Sequence, residues 1–286
     1  MRESICLNQS WSFRGPTGAV ETVDVPHTWN AIDGQDGGND YWRGCCTYEK
    51  DFPLPAFDPD AQAVYLEFQG VNASADVTLN GRELLHHDGG YSTFRAEVTD
   101  LIREENHLTV RVYPQKADFT FYGGIYRDVT LLIVSRSHFD LDHFGGPGLR
   151  VTPKPEGGDA RVRVQSWTNV SDPCVSVVLT DAEGNVAAAG EGTDVTLNIP
   201  NVHLWDGLED PYLYTATLRL MEDERAVDEI SCRFGVRTFR MDPKEGFFLN
   251  GRSYPLHGVS RHQDRKGLGN ALTRASTSMI CATSTA

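Results

Sequence analysis

The sequence predicts a mainly β protein built from two successive sandwiches, a jelly roll and then an immunoglobulin-like fold. Three observations predict it. Apolar and polar residues alternate in runs too short for helices, turn clusters separate the runs at regular spacing, and 27 Gly with 14 Pro among 286 residues supply the turns. A chain of this length fits two domains and part of a third, and a hydrophobic content of 40% with 10% aromatics is enough for packed cores.

In the first region, from Trp11 to about residue 135, Val64, Leu66 and Phe68 share one face of a strand and Tyr65, Glu67 and Gln69 the other. The run 75–79 ends in Asn80-Gly81, a pair that supplies the two positive φ values of a type I′ turn. Runs 108–112 and 129–134 close the series, and the absence of intervening helix suggests a two-sheet jelly roll. From about His138 to Phe239, runs at 160–167, 174–181, 193–200, 213–220 and 228–237 suit an immunoglobulin-like sandwich. Gly145-Gly146-Pro147-Gly148 is either a hinge between the two or a loop of the second. The expected divisions are 1–136, 137–239 and 240–286, with an irregular tail rich in Ser, Thr and Ala from about 274.

A formal net charge of −14 and a pI near 5.0 argue against nucleic acid and anionic membrane surfaces as partners. The N-terminus has no apolar core after its single Arg, and no window reaches the roughly 18 apolar residues of a membrane span, so the expected location is cytoplasmic. Without a secretion signal, Asn8, Asn72 and Asn169, each two before a Ser, are read as unglycosylated. Six cysteines without a CxxC pair read as reduced thiols.

The stretch 247–264, FFLNGRSYPLHGVSRHQD, carries the densest chemistry. Asn250-Gly251 sets a hairpin turn between apolar runs, and His257, Ser260, Arg261, His262, Gln263 and Asp264 follow the second run. Polar clusters just past strand ends are where binding sites are built, although a solvated loop has the same composition. His86 and His87, adjacent on a strand, face opposite ways and read as surface.

Several stretches resemble glycoside hydrolase family 2, in the family's own order. They are Tyr41-Trp42-Arg43-Gly44, Phe68-Gln69-Gly70-Val71, Asp118 with Gly124-Ile125-Tyr126-Arg127-Asp128-Val129, Trp205-Asp206-Gly207, Phe234-Gly235-Val236-Arg237, Leu249-Asn250-Gly251-Arg252 and His257-Gly258-Val259-Ser260-Arg261-His262. The resemblance implies a sugar-binding, galactose-binding-like jelly roll, an immunoglobulin-like sandwich and the first strand or strands of a truncated (β/α)8 barrel. By position it gives Asp118 a contact with sugar and a bound sodium ion. It makes His262 a donor to sugar hydroxyls, and Arg261 either a substrate contact or an ion-paired brace of the barrel floor.

Family 2 enzymes retain configuration, which needs two carboxyl groups about 5–5.5 Å apart. In the family both are glutamates on later barrel strands, the first preceded by Asn. No such pair stands here, so no catalytic residue is assigned, both glutamates are expected beyond residue 286, and the chain alone is expected to be inactive. Nothing around Asp118, Asp242, Glu245 or Asp264 promises the raised pKa of a substitute acid. β-Glucuronidases read Gly-Ile-His-Arg-Pro where this chain has Gly124-Ile125-Tyr126-Arg127-Asp128, which favours a β-galactosidase cleaving terminal β-D-galactosyl residues. A β-glucuronidase or β-mannosidase portion is the alternative within the family, and a non-catalytic carbohydrate-binding protein the alternative outside it. The implied partners are a galactoside, and the missing barrel portion or a second copy. Magnesium and sodium are implied by the family alone.

Overall fold

Alternating burial builds the first sandwich. Along the strand Glu105–Tyr113, Asn106, Leu108, Val110 and Val112 point inward while Glu105, His107, Arg111 and Tyr113 face out. The structure is a computed structural model that describes residues 2–33, 41–114, 122–258, 260–273 and 277, and it divides into two compact units.

One unit comprises Glu3–Ile133 with the described residues from Arg261 onward. One of its sheets runs in the order Glu3–Cys6, Val129–Ser135, Gln62–Phe68, Phe94–Glu97; the other runs Val20–Val23, Trp11–Arg14, Cys46–Pro53, Glu105–Tyr113, Ser74–Leu79, Arg82–Asp88. Trp11, Phe13, Tyr48, Leu66, Leu79 and Leu108 lie between them, each at most 1% exposed. Burying a side chain of this kind stabilises the fold by about 1.5–3 kcal/mol. The Asn80-Gly81 turn has φ values of 53° and 81°, as its sequence requires. Glu67 departs from the expected outward face. It is 7% exposed, and Arg95 on the neighbouring strand Phe94–Glu97 pairs with it at 2.6 Å, which offsets the cost of burying the charge.

The other unit contains Arg2 and Val134–Ser260. A three-stranded sheet, Leu149–Glu156, Asp159–Ser166, Asp194–Ile199, packs on a four-stranded one, Val186–Glu191, Cys174–Thr180, Tyr214–Glu222, Arg225–Phe234, around Phe139, Val162, Val177, Leu179 and Leu218. Two of these strands were not legible in the sequence. Leu149–Glu156 carries Pro153 and Pro155, tolerated because it is the outermost strand, and Val186–Glu191 is an edge strand of mostly Ala and Gly with weak strand preference. The Gly145–Gly148 stretch falls within this unit, after a single 3-10 turn at His143–Gly145.

Phe239–Asp242, Gly246–Leu249 and Arg252–Ser253 form a small antiparallel sheet in the same unit. Its Asn250-Gly251 turn has φ values of 49° and 80°. Asn250 donates to the Trp205 carbonyl at 3.0 Å and to Asp206 at 3.1 Å, and Arg252 also pairs with Asp206. Residues 254–258 form no strand; a barrel strand is held by neighbours on both edges, and the described residues supply none here. The expected segment 240–286 is therefore divided. Its hairpin is tied to the Trp205–Asp206 loop, whereas residues from Arg261 cluster with the jelly roll.

Candidate functional site

The site is built around a short ladder in the jelly-roll unit. Gly124–Ile125 pairs antiparallel with Val71–Asn72, which sets Tyr122 just before the ladder and Tyr126 just after it. Gly123 is clamped from one side: its N–H donates to Asn30 Oδ1 at 2.9 Å and its carbonyl accepts from Thr28 Oγ1 at 2.8 Å. Gly124 has φ +144°, and a Cβ there would lie 2.3 Å from the His27 carbonyl oxygen, so only glycine fits. Behind this contact the Tyr48 hydroxyl and His27 Nδ1 lie 2.8 Å apart. Burial pushes His27 down to about 4 and Tyr48 well up, so a neutral imidazole accepts from an intact phenol.

Asn72 is 3% exposed and donates through Nδ2 to the Tyr122 carbonyl at 3.1 Å. Tyr126 is 5% exposed and donates to the Gly90 carbonyl at 2.6 Å. The C-terminal segment closes the other side. Gly269 has φ +55° and packs so closely that a Cβ would lie 2.6 Å from the Tyr122 ring, while the Tyr122 hydroxyl donates to Asp264 at 3.1 Å. Burial, then the Asp264 charge, push the Tyr122 phenol up to about 12, so it stays a donor.

These groups enclose a cavity of about 410 Å³ lined by Asn72, Tyr91, Tyr122, Tyr126, Arg127, Arg261, His262, Gln263, Asp264, Asn270, Leu272 and Thr277. Its size suits a monosaccharide with part of an aglycone. Arg261 and His262, which the sequence singles out, both line it and are exposed, and neither bonds to a described residue. The ion pair considered for Arg261 is not formed among the described residues; the hairpin is braced by Arg252 instead. Asp118 lies outside the described residues, and the sodium contact rests on it. Among the described residues no three His, Cys, Asp or Glu side chains gather as a metal site.

Sequence reasoning missed Asn72, Tyr91, Arg127 and Asn270. The sequence marks Asn72 only through its Asn-Ala-Ser pattern, yet its amide is buried and bonded. The signal for Tyr91 was the preceding Gly89-Gly90, which lets the backbone approach Asn72 closely. Among the described lining residues Asp264 is the single carboxylate. Asp242 and Glu245 lie in the other unit and both pair with Arg240; backbone N–H groups of Lys244 and Glu245 hold Asp242 below the usual carboxylate range. The described walls of the cavity therefore offer hydrogen-bonding and charged groups with a single carboxylate, one short of the pair that hydrolysis needs. His86 and His87 point apart as expected, His86 to Asp76 and Asp88 and His87 onto Phe94.

Comparison with known proteins fits this geometry. Residues 38–118 match the glycosyl hydrolase 2 galactose-binding domain-like family, and residues 148–237 match glycosyl hydrolases family 2. The chain belongs to glycoside hydrolase family 2. A Bacteroides fragilis relative named β-glucuronidase is 36% identical over 95% of this chain, and a Bacteroides ovatus relative named β-galactosidase is 34% identical over 96%. The crystal structure of an FMN-binding β-glucuronidase from Faecalibacterium prausnitzii L2-6 superposes with a TM-score of 0.92 at 41% identity over 99% of this chain. This family 2 chain spans 43%, 36% and 47% of those three proteins, less than half of each. Of the two positions at which the motif departs from Gly-Ile-His-Arg-Pro, Tyr126 lines the cavity, whereas Asp128 accepts from Asn8 Nδ2 at 2.8 Å and lines a neighbouring groove with Asn8, Asp24 and Lys50.

Proposed function

We propose that this family 2 chain is the carbohydrate-recognising part of a retaining glycosidase that acts on β-D-glucuronides. The observation that carries the reading is the charge around the cavity. Arg127 and Arg261 line it, and its one carboxylate among the described lining residues, Asp264, already accepts the Tyr122 hydroxyl, all in a chain of net charge −14. A neutral galactoside gives two guanidinium groups nothing to neutralise. A uronate carboxylate matches their planar donor geometry. The relatives named β-glucuronidase support the same choice, while the Bacteroides ovatus relative keeps galactosides as the competing substrate. In this reading the jelly roll holds the sugar through Arg127, Arg261 and His262, and Asn72 and Tyr122 fix the wall. The acid/base and nucleophile belong to the part of the family's length that this chain does not span.

Calorimetric titration of the full 286-residue chain with methyl β-D-glucuronide and methyl β-D-galactoside tests it. Saturable, salt-sensitive glucuronide binding is expected, weakened roughly tenfold or more by Arg261→Ala, the loss of one charge-assisted contact. Equal affinity for the two glycosides, or a preference for the galactoside, refutes it.

A further inference from the structure

We infer that Tyr91 is a fixed aromatic platform at the cavity that receives a planar aromatic aglycone, so that the glycosides recognised are aryl β-glucuronides. The inference rests on the glucuronide reading above and adds the group on the other side of the glycosidic bond. Tyr91 lines the cavity and is nonetheless 72% exposed. A tyrosine ring commonly buries 150–250 Å² in a core or interface, so a ring left in water beside a cavity is apolar area held in reserve for a ligand.

The loop that carries it is fastened from beneath. Gly89 N–H donates to the Ala73 carbonyl at 2.9 Å, the Gly90 carbonyl accepts the buried Tyr126 hydroxyl at 2.6 Å, and the Gly89 carbonyl lies 3.0 Å from His87 Nε2. A Cβ on Gly90 would fall 2.5 Å from Asn72 Oδ1, so the backbone can sit this low only as glycine. The backbone that carries the ring is therefore fixed, which lowers the entropy lost when something stacks on it.

The kind of ligand follows from where the polar groups go. Ser92 Oγ and the Gly89 carbonyl both engage His87, and the Gly90 carbonyl is taken by Tyr126, so the loop around Tyr91 has few groups left for sugar hydroxyls. A second sugar needs such partners; a flat aromatic aglycone does not. The charged lining residues, Arg127, Arg261 and Asp264, are left for the sugar itself.

The test is calorimetric titration of the full chain with phenyl β-D-glucuronide and methyl β-D-glucuronide. The wild type is expected to bind the phenyl glycoside roughly two- to tenfold more tightly, the range of one aromatic pair. In Tyr91→Ala the phenyl-to-methyl ratio is expected to fall to about one, and in Tyr91→Trp to persist. Because Tyr91 is exposed, both variants are expected to melt with the wild type. A ratio of one in the wild type, or a ratio that survives Tyr91→Ala, overturns the platform while leaving the glucuronide reading intact. Failure of the wild type to bind either glucuronide overturns both.

Discussion

Acidification should loosen the wall of the cavity through a single histidine. His27 is half-buried beside the fully buried Tyr48, and its pKa falls from 6.5 to about 4 because loss of solvent penalises the imidazolium. Above pH 6.5 the folded and unfolded chains both hold it neutral. Below that value the unfolded chain takes the proton first, so stability is lost progressively as pH falls from 6.5 through about 4. At about 1.4 kcal/mol per unit the displacement amounts to about 3 kcal/mol, a large share of the roughly 5–15 kcal/mol that holds a domain together. Protonation also removes the Nδ1 lone pair that accepts from Tyr48. Urea unfolding followed by tryptophan fluorescence, with Trp11 as an internal reporter, measures the effect between about pH 7 and pH 4.5 in wild type and His27→Gln. The glutamine keeps an acceptor for Tyr48 and does not titrate. The wild type should lose up to about 1.4 kcal/mol per pH unit more than the variant, the limit being approached midway between the two pKa values. Equal pH slopes would refute the reasoning, because every other titrating group is common to both proteins.

Two further changes test the wall directly. Gly124→Ala places a Cβ against the His27 carbonyl at a φ that L-residues rarely adopt, so it should cost roughly 1–3 kcal/mol in backbone strain alone; an unchanged urea midpoint would count against the close approach. Tyr122→Phe removes the donor to Asp264 and should free the C-terminal segment by about 1 kcal/mol, seen as roughly fivefold faster amide hydrogen exchange at Gly269 and Ala271 while global stability moves less. Unaltered exchange there would mean that ring packing against Gly269, and not the hydrogen bond, holds the segment.

Much of the fold was legible because local rules sufficed. Alternation placed the strands around Leu66, Leu108 and Leu218, and both Asn-Gly pairs formed the turns their chemistry demands. What escaped was set by position in the sheet. Pro153 and Pro155 disqualify a central strand but not an outermost one, and no local pattern announces that Glu67 will meet Arg95 on a strand 28 residues away. The site divides in the same way. Arg261 and His262 were legible from family resemblance, whereas Arg127, Tyr91 and Asn72 join them only because the chain folds loops from three distant stretches onto one cavity. Asp128 shows the converse: a residue inside a telling motif turned out to hold down Asn8.

The two prolines of Leu149–Glu156 reach beyond the strand they occupy. Pro153 and Pro155 lie two apart, so their nitrogens point to the same side, and proline is accommodated in a paired strand only on the side away from its partner Asp159–Ser166. The outer rim of that sheet thus lacks amide donors at two successive outward positions. A stray strand from another molecule arriving there would find acceptors without the matching donors, and could not extend the sheet in register. Chain-to-chain growth from this rim is opposed by omission, and the exposed Lys154 between the two prolines adds a charge to it.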